Sequence, residues 1–357
     1  VGGAFGFWEE AEEHVALSLL PGTVLSDPPV GLGQSRGDTE VDNWDWALYG
    51  QATLDVTDWA SLTGGVRYTQ EKKELSRMLQ QPVAEPPVGD PLPVDFRGRE
   101  VFDAWTPMAS LALFAPDDWL DRTVLDHLMG YFSYSQGFRG GGFNGGARTS
   151  APITLDAFDP EFITSYEWGL KTIGFEHHAT VNFSVFLSER EDQQVPQLFQ
   201  ADVGVVQLTD VLVRNAAQST EKGFEVETSL RPFDGLLATA SAGYLDAEYD
   251  DFPGAQNSIT GKTFNRKGER FAFLPEWQTH VGLQYSRDVA LGGPDWLDGT
   301  FTPRIDWSWQ SETTNWAPEI TELHQSDFNI VDLRLAYDCD GDKSGVAFFV
   351  KNLTDTE

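Results

Sequence analysis

The feature that most limits what this chain can fold into is a two-residue alternation of polar and apolar side chains that returns along almost its whole length. Ala179 to Leu187 shows it cleanly, with Val181, Phe183, Val185 and Leu187 on one side and Thr180, Asn182, Ser184 and Phe186 on the other. Trp44 to Val56 repeats it, setting Trp46, Leu48, Ala52, Leu54 and Val56 against Ala47, Tyr49, Gln51, Thr53 and Asp55. A period of two marks a strand with two unlike faces. No stretch reaches the roughly 18 uncharged apolar residues that a spanning helix needs. A helical membrane protein is excluded on that ground, whereas a membrane β-barrel, which alternates, is not.

The same rhythm is read at Ala60 to Lys73, Val101 to Phe114, Tyr131 to Gln136, the strand around Tyr166, Val211 to Leu230, Ala238 to Glu248, Trp277 to Arg287, Thr300 to Trp309, Phe328 to Tyr337 and Val346 to Asn352. With a half-strand from Val1 this gives about thirteen antiparallel strands. Glu13 to Asp38, Glu74 to Phe96 and Arg139 to Asp159 read as long loops, and a further loop is expected near Gln200 to Val206. Thr57-Asp58, Gly174 to His178 and Arg231 to Leu236 read as short turns. Alternating long and short connections are the pattern of an outer-membrane barrel. The tryptophans sort with it. Asp58-Trp59, Asp118-Trp119 and Asp295-Trp296 fall in the short class, while Trp44, Trp105, Trp277 and Trp309 sit at the opposite strand ends. Two tryptophan levels suit two membrane–water interfaces, because indole is apolar with one donor. Ala115 to His127 and Asp288 to Gly299 are long for inner turns and predict small extra structure, and Pro303 inside a strand predicts a bulge or strand end.

A net charge of -32 argues against a nucleic-acid partner, since phosphate contact needs a basic face. Cys339 is the sole cysteine, so no intrachain disulfide forms. DCDGDKSG at Asp338 to Gly345 spaces Asp338, Asp340 and Asp342 like a calcium loop, but Gly341 comes too early and Phe349 stands where the closing Glu belongs. A tight turn explains it better. The histidines lack zinc-ligand spacing, nucleophile-elbow and P-loop signatures are missing, and no cofactor or catalytic set is expected.

One stretch stands apart. Tyr131 to Gly146, YFSYSQGFRGGGFNGG, alternates as far as Gln136 and then turns glycine-rich. Such a run suits a backbone that leaves a sheet edge and passes close to something else. It resembles the signature of TonB-dependent outer-membrane receptors. FDPEFITSYEWGLKT at Phe158 to Thr172, NAAQSTEKGFEVE at Asn215 to Glu227 and VKNLTD at Val350 to Asp355 are similar to further motifs of that family, in the family's order. The resemblance implies an all-β, antiparallel transmembrane barrel in the outer membrane of a Gram-negative cell, incomplete here at about thirteen of 22 strands. Residues 1–357 are then a partial barrel domain, with the plug, the first strands and the last strand expected outside it. Such a fragment is expected neither to close nor to transport by itself.

The function implied is active import of a scarce nutrient, first of all a ferric siderophore or other iron complex. Cobalamin, haem or glycans on the same fold, or a passive porin-like channel, are the alternatives. No enzyme activity is expected. The implied partners are TonB, reached through the plug, outer-membrane lipid, and a small ligand such as a metal chelate. Phe138, Arg139, Phe143, Asn144, Arg148 and Trp316 are the candidates for ligand contact at the mouth, where arginine offers a planar fork and aromatics a stacking face. Arg67, Glu167, Lys171, Glu225, Glu227, Arg304, Asp306, Asp332 and Arg334 are expected to face the interior, where charge is tolerated, and to meet the plug.

Overall fold

A computed structural model of the protein describes residues 1–18, 31–32, 34–80, 84–85, 94–145, 156–203, 206–256, 262–290, 298–314, 324–339 and 344–356. They form one large antiparallel sheet. In chain order its strands are β1 (Gly2–Ser18), β3 (Gln34–Thr57), β4 (Ala60–Gln80), β6 (Val94–Phe114), β7 (Leu125–Arg139), β8 (Glu161–Gly174), β9 (Ala179–Val203), β10 (Val206–Leu230), β11 (Leu236–Asp251), β14 (Trp277–Tyr285), β15 (Arg287–Val289), β16 (Gly299–Gln310), β17 (Phe328–Cys339) and β18 (Gly345–Val350). Apart from β15, each pairs with the next, so the order around the wall is the order along the chain. β14 and β15 both pair with β16, at Gln284↔Arg304 and Arg287↔Phe301, and so share one place in the wall. The wall thus has thirteen places, as the alternation predicted. Four two-residue strands pair off it, β2 (Gly31–Leu32) with β5 (Ala84–Glu85) and β12 (Ala255–Gln256) with β13 (Thr263–Phe264).

The break between β14 and β15 has a local cause. Ser286 faces the stretch of β16 that holds Pro303, which has no N–H to give to a ladder. Pro303 stays in register with Leu335 of β17. The interruption falls on its other neighbour, where the Ser286 N–H turns to the carbonyl of Gly235 at 2.8 Å. The expected small structure in residues 115–127 is α1 (Asp117–Leu120), a single turn carrying Trp119. Residues 340–343, the centre of the calcium-like stretch, lie outside the described residues, as do 291–297 with Trp296.

Two of the stretches read as long loops are strand at both their ends, and a third strand runs past its expected end. β1 runs to Ser18 and β3 starts at Gln34, β4 runs to Gln80 and β6 starts at Val94, and β9 runs through the expected end at Leu187 to Val203. Of the expected loop near 200–206, residues 200–203 belong to β9 and Val206 to β10, and residues 204–205 lie outside the described set. The physical reason is that these extensions run past the apolar band, where no row of side chains has to face lipid, so their ladders persist while the contrast that marks a strand is lost.

Register assigns every strand two faces. One carries Leu48, Leu54, Leu62, Leu111, Phe183, Val281, Leu283 and Ile305, all exposed. On this face aromatic rings touch across neighbouring strands in a belt: Trp46 to Tyr68 at 5.4 Å, Tyr68 to Trp105 at 4.9 Å, Tyr134 to Tyr166 at 5.5 Å and Tyr244 to Trp277 at 4.9 Å between centroids. An exposed apolar surface of this extent belongs in lipid, and the belt marks its outer boundary. The opposite face carries the charged and polar residues, with single aromatics such as Phe5 and Phe186 among them. Apolar burial is confined mainly to the outer ends, where Val195, Ala217, Tyr249, Phe252 and Ala255 pack into a small cluster with Phe264 and Phe271 against it. Burial there pushes the Tyr249 hydroxyl pKa up.

Candidate functional site

The register gathers all the charged residues expected inside onto the polar face. Arg67 of β4 stands opposite Tyr49 and Thr106, Glu167 and Lys171 of β8 opposite Phe186 and Asn182, and Glu225 and Glu227 of β10 opposite Gly243 and Ser241. On the last strands Arg304 faces Arg334, and Asp306 faces Asp332. Some of these groups have partners. Tyr131 donates to Glu167, and Lys171 lies 5.5 Å from the centre of the Tyr131 ring. Arg67 donates to Thr69 at 2.9 Å and lies over Phe5. Arg304 forks onto Asp306 with two bonds of 2.7 Å, and Asp332 accepts the N–H of Asn352 at 2.9 Å. Glu225, Glu227 and Arg334 are exposed and make no hydrogen bond or ion pair among the described residues. Like charges opposite each other, as in Arg304 and Arg334, repel, and here Asp306 answers Arg304 while Arg334 has no such partner among the described residues. A cleft of about 360 Å³ opens on this face between Glu225, Glu227, Gln278, His280 and Ser308.

The second concentration of chemistry is at the outer end of β7. Beyond Arg139 the backbone leaves the ladder and runs inward across the neighbouring strands as residues 140–145. Glycine is required where it passes closest. A Cβ on Gly141 would lie 2.2 Å from the Phe158 carbonyl oxygen and 2.6 Å from the Phe102 ring, and one on Gly140 would strike Glu71. Gly142 and Phe158 exchange two backbone bonds of 3.0 and 2.8 Å. Gln194, which is buried, donates from Nε2 to the carbonyls of Gly140 at 2.9 Å and Asp159 at 3.1 Å. Its own N–H goes to Glu161 at 2.8 Å. Glu161 also accepts from Arg190 at 2.8 Å, and Arg190 in turn reaches Glu221. Asn215 closes the assembly, donating to the carbonyls of Asp159 and Asp192 and accepting the Asp159 N–H at 2.6 Å. Three motifs far apart in sequence, GFRGGGFN, FDPE and NAAQ, thereby meet at one place.

Under this segment lies a cleft of about 550 Å³ lined by Asn43, Asp45, Glu71, Lys73, Arg139 and Gln194 among others. Lys73 pairs with Glu71 at 3.1 Å. At its rim the Lys72 ammonium, hydrogen-bonded to Glu74, holds that carboxyl below the usual carboxylate range. The cleft therefore offers both signs of charge and several hydrogen-bonding groups. That arrangement can bind and orient a polar ligand.

Of the residues expected to touch ligand, Arg139 lines the cleft, is exposed and makes no side-chain ion pair among the described residues. Phe143 also lines it and sits edge-on to Phe96 at 6.2 Å. Asn144 is turned instead to structural bonds with Val213 and Arg77. Phe138 borders the cleft, but its place in the ladder is in the outward row, where its ring stacks on Phe162 at 6.2 Å. Arg148 and Trp316 lie outside the described residues. The sequence reading missed Asp45, Glu71, Arg77, Arg190, Gln194 and Glu221. Glu161 was inside a quoted motif, FDPE, and that motif was the available signal.

The family model described as TonB dependent receptor-like, beta-barrel matches residues 16–353. Among solved structures, the chain is similar to the ferric yersiniabactin uptake receptor FyuA from Yersinia pestis, at 16% identity and a TM-score of 0.68, covering 99% of this chain and 50% of that one. It is similar to the ferric-catecholate import receptor Fiu from E. coli K12 at 12% identity and a TM-score of 0.60, covering 99% and 51%. The siderophore receptor PiuA from Acinetobacter baumannii gives 14%, 0.59, 90% and 40%. The chain thus spans about half or less of the length of each of these structures. At these identities the likeness is one of fold.

Proposed function

Because the chain belongs to the TonB-dependent receptor β-barrel family, whose barrels lie in the outer membrane, we propose that it is the larger part of the barrel of an active importer for an iron chelate of the ferric siderophore class. The observation that carries the reading is the polar face. Glu225, Glu227 and Arg334 stand there exposed and unpaired, with Arg304 opposed to Arg334, which is the surface of a wall that meets another charged body. A separate plug domain, outside residues 1–357 together with further strands, is the body that fits, and TonB acts through it. In this reading Arg67, Glu167, Lys171, Glu225, Glu227, Arg304, Asp332 and Arg334 seat the plug, and Arg139 and Phe143 look onto the ligand. Arg148 and Trp316 are proposed for the same mouth from the sequence alone. A passive channel has no use for a charged plug seat, and nothing in the wall is assigned to bond-breaking chemistry.

The siderophore assignment draws support from the neighbours, whose names specify ferric yersiniabactin, ferric catecholates and siderophores. The test is uptake of ⁵⁵Fe-loaded siderophores by iron-starved cells with and without the full-length gene. Uptake that needs the gene and stops on adding a protonophore supports the reading. Gene-dependent uptake that continues without a proton gradient would sink it in favour of passive diffusion.

A further inference from the structure

The segment 140–145 is bonded to two groups of strands that do not adjoin each other. On one side are the outer arms of β3, β4 and β6. Thr39 of β3 donates to the Gly145 carbonyl at 3.2 Å, Arg77 of β4 donates to the Asn144 carbonyl at 3.1 Å, and Phe143 packs on Phe96 and Gly98 of β6. On the other side are β9 and β10. Gln194 of β9 holds the Gly140 carbonyl, and Val213 of β10 exchanges two bonds with the Asn144 side chain. The strands β7 and β8 lie between the two groups.

We propose that residues 140–145 are a fixed strap, locked by Asn144, that makes the β3–β4–β6 arm and the β9–β10 arm move as one body. Asn144 joins them by the shortest path. Its backbone carbonyl is held by Arg77, which is 2% exposed, while its amide accepts the Val213 N–H at 2.7 Å and donates to the Val213 carbonyl at 3.1 Å. A primary amide holds its donor and its acceptor on separate atoms and so serves the N–H and the carbonyl of one residue at once, which gives the lock a chemical requirement. Aspartate keeps the acceptor but sets a carboxylate against the carbonyl, and leucine offers neither. The glycines before it let the strap lie against Glu71, Phe102 and Phe158 without a gap for it to swing through. The strap is a positioning element, and it acts whatever ligand the mouth takes. Any closing of outer loops around a ligand is then carried by other segments.

The test uses the full-length receptor in lipid nanodiscs with Cys339→Ser as background. One spin-label pair joins the arms, at Asp42→Cys on β3 and Arg214→Cys on β10, both exposed. A control pair sits on inner turns, at Asp58→Cys and Asp234→Cys. The expected result is one narrow distance between the arms that broadens about twofold or more with Asn144→Leu and partly with Asn144→Asp, while the control pair keeps its width. Should the leucine variant not assemble, the aspartate variant gives the same reading. An inter-arm distribution unchanged by either variant overturns the proposal. So does equal broadening of both pairs, since Asn144 would then support the whole wall and not a strap.

Discussion

At the scale of single residues, the close-packed glycines of the strap differ sharply from the open ones of the wall. A methyl on Gly141 meets a carbonyl oxygen and an aromatic ring, whereas one on Gly64 meets nothing within 4 Å. Gly141→Ala is therefore expected to cost about 1–3 kcal/mol, and Gly64→Ala close to nothing. Thermal unfolding of the full-length receptor in detergent compares the two, and equal midpoints would contradict the close approach. Gln194→Leu leaves the buried Gly140 carbonyl without its side-chain donor, while the Asp159 carbonyl keeps its bond from Asn215, at a cost of about 1–3 kcal/mol in the same assay. Residues of these two kinds were not equally legible. Glu225, Arg304 and Arg334 could be placed inside from alternation alone, because lipid forbids charge on the other row. Gln194 and Arg77 could not. They lie on outer arms beyond the lipid, where no apolar row marks the faces, and the segment 140–145 that buries them comes from a strand distant in sequence.

At the scale of the element, the assignment of faces is itself a prediction. Ala109 of β6 faces outward midway between the Trp105 belt and Phe114, and its neighbour Ser110 faces inward. Ala109→Arg is expected to destabilise the full-length barrel by about 2–4 kcal/mol, while Ser110→Arg stays below about 1 kcal/mol. Denaturant titration in lipid vesicles decides it, and a reversal of the order would mean that the register is off by one residue. Strand existence was legible wherever one face meets lipid. Strand length was not, since β4 extends seven residues past Lys73 and nothing in EKKELSRM changes with a period of two. The glycine run was legible as a departure from the sheet and the family motifs as a set. Their meeting through Asn215 and Gln194 needed the fold.

At the scale of the whole molecule, β1 and β18 are the two ends of the sheet and do not pair with each other. Unpaired strand edges are not tolerated in lipid. A polypeptide of these 357 residues alone is thus expected to give neither a heat-modifiable folded band nor channel conductance in vesicles, and either signal would refute that. Family and wall were legible at this scale because they follow from alternation and motif order. The ligand was not, because selectivity rests with side chains at the mouth that no period governs. The length of the outer arms has one more consequence. β9 and β10 have 25 residues each, about 80 Å along the strand at roughly 3.3 Å per residue, against an apolar band about 25 Å tall. A palisade therefore stands well clear of the bilayer, and on β1 and β3 its stakes are Glu9, Glu10, Glu12, Glu13, Asp38, Glu40 and Asp42. A negatively charged chelate diffusing in meets that fence on β1 and β3 at the level where β6 presents Arg97 and Arg99. Its capture rate is expected to rise as added salt shortens the reach of the repulsion, the reverse of what a steered encounter shows.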